Sequence, residues 1–207
     1  LVACSEYAAG ALLRDWVNIA EGLISPDPSP EVLREALTES GQELLSCAQS
    51  RTEFLQQLRR LRHRGLLQIL WLDIIAGDQP AATLTRLSDL AEIALDCACE
   101  FSRRQLRARF GEPEIDGELV PLVILAMGKL GGYELNFSSD IDIVFLYPAD
   151  CDTNGPKTLS AHEYFTKLSR DSAALLEEVT GDGFVYRVDT RLRPFGGSGP
   201  PVANFAS

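Results

Sequence analysis

The spacing of apolar residues changes at Gly111-Glu112-Pro113, and that change bounds every fold open to the chain. Before it, leucines and isoleucines recur at the three- and four-residue intervals of amphipathic helices. After it, short apolar runs alternate with glycine-rich turns, as strands do. The expected class is α+β: a helical region over 1–111, then a small mixed-sheet module with a flanking helix over 112–207. At 207 residues the chain can bury a substantial core. It begins at Leu1 and stops at Ser207, which reads as an excised piece of a longer protein, truncated at the C-terminus.

In the first half, Leu12, Leu13, Trp16, Val17, Ile19, Ala20 and Leu23 predict a helix over 5–24. The three prolines of Ser25-Pro26-Asp27-Pro28-Ser29-Pro30 end it. A second helix starts near Pro30, with Ser29 as cap and Glu31 in its first turn. Its stripe is Val32, Leu33, Ala36, Leu37, Leu44 and Leu45. A third spans 52–76 and ends at Gly77 and Pro80, and a fourth spans 81–110. Two basic clusters interrupt these helices: Arg59, Arg60, Arg62, His63 and Arg64, then Arg103, Arg104, Arg107 and Arg109. A charge run of this kind is usually a solvated face, and the alternative is that one or two of these arginines reach an anionic site.

In the second half, strands are expected at 120–127, 141–147 and 183–192, with an amphipathic helix over 160–180. Cys4, Cys47, Cys97, Cys99 and Cys151 show no CxxC spacing and have only His63 and His162 beside them, so a zinc site is not expected and buried, inert thiols are. A net charge of −11 argues against a general nucleic-acid binder. No apolar run approaches the roughly 20 residues of a membrane span, and nothing resembles a signal peptide, so the cytoplasm is the expected compartment.

The chemistry concentrates in Met127-Gly128-Lys129-Leu130-Gly131-Gly132, followed by Ser138-Ser139-Asp140-Ile141-Asp142. Side chains at i and i+2 of a strand share a face, roughly 6–7 Å apart. Asp140 and Asp142 are therefore expected side by side, with Ile141 and Ile143 packed behind. Paired carboxylates call for a divalent cation with oxygen ligands. A P-loop does not fit, because Val123 and Leu130 stand where that motif needs Gly and Ser/Thr. A haloacid-dehalogenase-type phosphatase or metal-binding glycosyltransferase is disfavoured, because here Asp-x-Asp opens the apolar strand and does not close it.

Period-2 alternation in 183–194 puts Phe184, Tyr186, Val188 and Leu192 on one face and Arg187, Asp189, Arg191 and Arg193 on the other. That charged face suits a metal and phosphates, with Asp189 as a third carboxylate and the arginines as planar donors to phosphate oxygens. Gly128, Gly131 and Gly132 would let the backbone approach an anion, and Ser138 and Ser139 would add hydroxyl donors.

A glycine-rich turn, Asp-x-Asp and a third carboxylate on a later strand resemble the nucleotidyltransferase superfamily that includes DNA polymerase beta. Residues 127–142 and Val185-Tyr186-Arg187-Val188-Asp189 to Pro200 are more closely similar to the bifunctional glutamine synthetase adenylyltransferase/adenylyl-removing family, whose members carry two nucleotidyltransferase domains. Asn136-Phe137, Arg187 and Pro194-Phe195-Gly196 look more like the N-terminal, adenylyl-removing copy. The strong resemblance covers about 120–203.

It implies that Asp140, Asp142 and Asp189 bind Mg²⁺, two ions in the family's mechanism, with Mn²⁺ as a substitute. It places Gly128, Lys129, Gly131, Gly132, Ser138, Ser139, Arg187, Arg191 and Arg193 around the nucleotide and phosphate. The implied reaction is phosphorolysis of AMP–tyrosine on glutamine synthetase, a step in nitrogen regulation. The implied partners are glutamine synthetase, AMP, ADP, ATP, phosphate and, through the full-length enzyme, a PII-type signalling protein. Two alternatives stand beside it: ATP-dependent adenylylation, or another nucleotidyl transfer, by the same carboxylates, and a non-catalytic nucleotide-sensing module. A piece of this length is expected to need further helical elements for activity.

Overall fold

The computed structural model describes residues 6, 7, 9, 10, 30–193, 196 and 199–206. The helix expected over 5–24, the proline-rich break, the Ser29 cap, Cys4 and the Pro194-Phe195 and Ser198 parts of the last motif lie wholly or largely outside them. The described chain runs α1 (Pro30–Cys47), α2 (Arg51–Ile74), α3 (Pro80–Phe110), β1 (Glu114–Ile115), β2 (Glu118–Leu119), β3 (Val123–Met127), α4 (Gly128–Gly131), β4 (Ile141–Tyr147), α5 (Ala161–Glu177), β5 (Val188–Asp189) and β6 (Val202–Asn204). The α+β class expected from the spacing is what the chain adopts.

Local sequence explains the boundaries. Ser50 and Ser160 each accept the N3 amide of the following helix, while Glu53 and Glu163 reach back to the cap amide, so α2 and α5 both start with a capping box. Pro at the start of α3 and Gly111 at its end are the preferred start and stop residues. Asp116-Gly117, both at positive φ, close the small β1–β2 hairpin, which the apolar pattern does not signal.

The main sheet is mixed. β3 pairs antiparallel with β4, with Met127 opposite Asp142. Along the other edge of β4, β5 pairs parallel at its start and β6 pairs parallel at its end. β4 is the spine, and five of its seven residues are buried. α5 lies between this sheet and α3, with Phe165 packed on Tyr147 at 5.3 Å between ring centres. α1 and α2 pack on α3, where Phe54 and Phe101 stack at 4.0 Å. One continuous apolar core joins the helices to the sheet.

Several expectations need correction. The strand expected over 183–192 is only Val188–Asp189. Val185 and Tyr186 are both buried, while Leu192 is 56% exposed, so the alternation fails. The backbone explains this: the amides of Val185 and Tyr186 both donate to the Leu176 carbonyl, at 2.8 and 3.2 Å, wrapping the chain over the end of α5. A regular strand cannot aim two successive amides at one acceptor. Val32, expected on the apolar stripe of the second helix, is 37% exposed. Cys97 is buried, Cys99 and Cys151 are half-buried, and Cys47 is exposed, so the buried-thiol expectation fails for Cys47. Burial pushes the Cys97 and Cys99 thiols up to about 12, which keeps both in the unreactive protonated form.

Candidate active site

Asp140 stands immediately before β4 and Asp142 inside it, anchored by the fully buried Ile141 and Ile143. The parallel register of β5 makes Asp142 and Asp189 Cα partners. Asp142 thus has the glycine turn on one flank, through Met127, and the third aspartate on the other.

Gly128 adopts φ +53, and a Cβ there would lie 2.5 Å from Asp142 Oδ2. Only glycine lets the main chain come that close to the carboxylate. A Cβ on Gly131 would meet the Ala126 carbonyl oxygen at 2.4 Å, so this residue lets the turn fold back on β3. Gly132 donates its amide to Gly128 O at 3.1 Å, which directs that N–H into the turn. Lys129 Nζ lies 3.5 Å from Ser139 Oγ. Asn136 shapes the serine loop: its Oδ1 accepts from the Ser138 amide at 3.3 Å and from Ser139 Oγ at 2.7 Å, an Asx turn.

The arginines divide into two roles. Arg187 Nε donates to Asp140 Oδ1 at 2.5 Å. Arg191 Nε donates to both Asp189 oxygens at 3.0 Å, and its amide donates to Oδ1 at 2.8 Å. These hydrogen bonds from the Arg191 side chain and backbone hold the Asp189 carboxyl well below the usual range, at about 2. Arg193 instead bonds Thr190 O at 2.9 Å, Thr190 Oγ1 at 2.7 Å and Gly199 O at 3.3 Å. It braces its own loop and, unlike its neighbours, hydrogen-bonds backbone and Thr190 in place of a carboxylate.

The donor set suits a hard cation. All three groups are carboxylates from adjacent chain segments, and the missing Cβ at Gly128 leaves Asp142 open on one side. Among the described residues no three of His, Cys, Asp and Glu converge as a metal cage. Asp140 and Asp189 turn toward their arginines instead, so seating a cation between the carboxylates entails exchanging those contacts.

The helical region grips both arms of the site. On the first arm Tyr133, at φ +56, donates its hydroxyl to Glu92 Oε1 of α3 at 2.8 Å, and the Leu135 amide donates to Ser88 Oγ at 3.3 Å. On the second, Arg59 of α2, fully buried, donates to Gly183 O and to Leu55 O at 2.8 Å each, and also to Glu178 O. Arg62, three residues on, lies against the Tyr186 ring. The solvated-face reading is therefore wrong for Arg59. A signal existed: Leu55, Arg59, Arg62 and Leu66 follow 4, 3, 4 spacing, which sets both arginines on the buried stripe. In the second cluster Arg103 and Arg104 pair with Glu100, and Arg103 and Arg107 with Glu112, all far from the aspartates in role.

The family model for glutamate-ammonia ligase adenylyltransferase matches residues 1–207. A bifunctional glutamine synthetase adenylyltransferase/adenylyl-removing enzyme of Pseudomonas aeruginosa is 40% identical over 100% of this chain and 21% of its own length. Proteins of the same name are 39% identical in Xanthomonas campestris, over 97% of the chain and 20% of the relative, and 40% identical in Methylococcus capsulatus, over 99% and 21%. The chain thus spans about a fifth of the length of the curated relatives it matches.

Proposed function

Because the chain belongs to the glutamate-ammonia ligase adenylyltransferase family, we propose that it acts on the AMP–tyrosine linkage of glutamine synthetase, in the adenylyl-removing direction, in the cytoplasm. The observation that carries this reading is the register of β4 and β5, which sets Asp142 beside Asp189 with Asp140 two residues away. Mg²⁺ held by Asp140, Asp142 and Asp189 would supply polarisation of the phosphoryl oxygens and neutralise charge on the leaving oxygen.

The chain's own residues do the rest. A phosphate oxygen forms a bond to the AMP phosphorus as the bond from that phosphorus to the tyrosine oxygen breaks. The products are ADP and a tyrosine whose oxygen takes a proton from solvent. Arg187 and Arg191 orient the phosphates with their planar N–H groups, Lys129 and the Ser138–Ser139 loop adding further donors. The Gly128 turn keeps bulk away from Asp142. No helix among the described residues is long and apolar enough to cross a membrane.

The test is phosphate-dependent release of AMP, as ADP, from modified glutamine synthetase by the full-length protein. Asp140→Asn with Asp142→Asn is expected to lower the rate by about 10³-fold or more, since losing a catalytic cation removes several kcal/mol of transition-state stabilisation. A rate within about tenfold of the parent sinks the reading. Activity with ATP and unmodified glutamine synthetase, but none with phosphate, would reverse its direction.

A further inference from the structure

The glycine turn beside Asp142 is a closed unit. The Gly132 amide donates to Gly128 O at 3.1 Å, the Tyr133 amide to Leu130 O at 3.1 Å and the Glu134 amide to Lys129 O at 2.8 Å. Fixing the far end of this unit therefore fixes Gly128, the residue that lies against the Asp142 carboxylate. That far end is Tyr133, a bulky residue at φ +56, in the left-handed region that such residues rarely adopt without outside support. The support comes through its hydroxyl, which donates to Glu92 Oε1 of α3 at 2.8 Å.

Glu92 is itself held. Its other oxygen, Oε2, accepts from Arg34 Nη2 of α1 at 3.1 Å, and Arg34 Nη1 bonds the Asp89 carboxylate three residues earlier on α3. Both oxygens of Glu92 are thus engaged, and 27% of its side chain is exposed. A hydrogen bond from a hydroxyl to an ionised carboxylate is stronger than one between neutral groups, and an acceptor already held costs less ordering to use. Four residues before Glu92, Ser88 Oγ accepts the Leu135 amide at 3.3 Å, and Leu130 and Leu135 are buried on either side of Tyr133 in the chain. Apolar burial is non-directional and keeps the turn on the core. The Tyr133–Glu92 bond is directional and fixes how the turn is oriented there.

We propose that Glu92, braced by Arg34, is a positioning residue for the transfer site: through the Tyr133 hydroxyl it orients the glycine turn, and with it Gly128 and Lys129, against Asp142. The proposal rests on the transfer reading above and deepens it, giving the helical region a part in the chemistry. Glu92 acts on the reacting groups through the backbone of the turn. Arg187 and Arg191 lie on another segment, so a displaced turn slows the chemical step and leaves the phosphate contacts of those arginines in place.

The test compares the full-length parent protein with Tyr133→Phe, Glu92→Ala and Glu92→Gln. It reads hydrogen–deuterium exchange of residues 128–135 and steady-state transfer in whichever direction the parent runs. Tyr133→Phe removes one oxygen atom and leaves Arg34 paired with Asp89, so it stays readable if Glu92→Ala lowers stability. In these two variants exchange over 128–135 should quicken about tenfold, the scale of one hydrogen bond to a charged group, with 141–147 unchanged. Their kcat should fall about tenfold, with KM for phosphate or ATP within about twofold of the parent. Glu92→Gln still offers an oxygen to the Tyr133 hydroxyl and should bring both readouts back to within about threefold of the parent. Unchanged exchange in Tyr133→Phe overturns the proposal, and so does faster exchange with unchanged kcat. A Glu92→Gln protein as slow as Glu92→Ala overturns it too, because the hydrogen bond would then not be what matters. Failure of the transfer reading would show elsewhere, as activity surviving Asp140→Asn with Asp142→Asn, while exchange still decides whether Glu92 holds the turn.

Discussion

The arginines of α2 and those at the end of α3 put the same guanidinium group to different uses. Arg59 is enclosed by the core and ties helix to backbone, donating to three carbonyls on two chain segments. Arg107 sits at the rim, with 67% of its side chain exposed, and meets one carboxylate, that of Glu112. Backbone carbonyls cannot move away when their donor is lost, whereas the buried Glu112 carboxylate keeps Arg103 as a second partner when Arg107 is lost. Arg59 should therefore be structural and nearly irreplaceable, and Arg107 dispensable. It follows that a charge cluster is informative by what it touches and not by its sign.

The sharpest way to break this contrast is Arg59→Met, which keeps the stem and deletes the donors. Stability should fall by about 3 kcal/mol, or roughly 10 °C in melting temperature, as buried carbonyls lose their partner. A loss under about 1 kcal/mol by urea titration would place Arg59 on the same footing as the rim arginines. Arg107→Ala is expected to change stability by less than about 1 kcal/mol, because the Arg107 guanidinium is largely solvated and Glu112 keeps Arg103 as a partner, and the change should shrink further in salt. A loss equal to that of Arg59→Met would erase the distinction.

The smallest effect concerns Arg191, a third kind of partner, exposed but bidentate on Asp189. The folded Asp189 carboxyl, at about 2, lies below its ordinary value near ~3.9, so the pairing stabilises the protein above about pH 4 and that contribution fades as pH falls toward 2. In Arg191→Ala the carboxyl should move back up toward the ordinary range, read by carbon-13 NMR titration of the side chain. A titration identical to the parent's would show that the pair does not persist in solution.

The same distinction explains what could be read in the sequence. β4 was legible residue for residue, because Ile141 to Tyr147 is apolar at every position but Asp142 and its entry is marked by Ser138-Ser139-Asp140. The starts of α2 and α5 were approachable for a local reason, Ser followed three residues later by Glu. Asp140 and Asp142 stand out by their spacing and Asp189 by its later motif, and the β4–β5 register sets Asp142 beside Asp189. What escaped is set by partners far along the chain. The segment from Gly183 to Tyr186 alternates as a strand does, yet the Leu176 carbonyl and the Arg59 guanidinium bend it over α5. Arg193 looks in sequence like Arg187 and Arg191, which pair with aspartates, until its guanidinium turns to the Gly199 carbonyl. Asn136 reads as one letter of a motif, but its work is to fold the serine loop.

A side-chain carbon at position 128 would come within 2.5 Å of Asp142 Oδ2, closer than a carbon can approach an oxygen without forcing one of them to move. Position 128 is therefore a size gate set against a charge. A methyl group there alters neither the number of carboxylates nor their formal charge, so Gly128→Ala asks how much the site depends on vacancy alone.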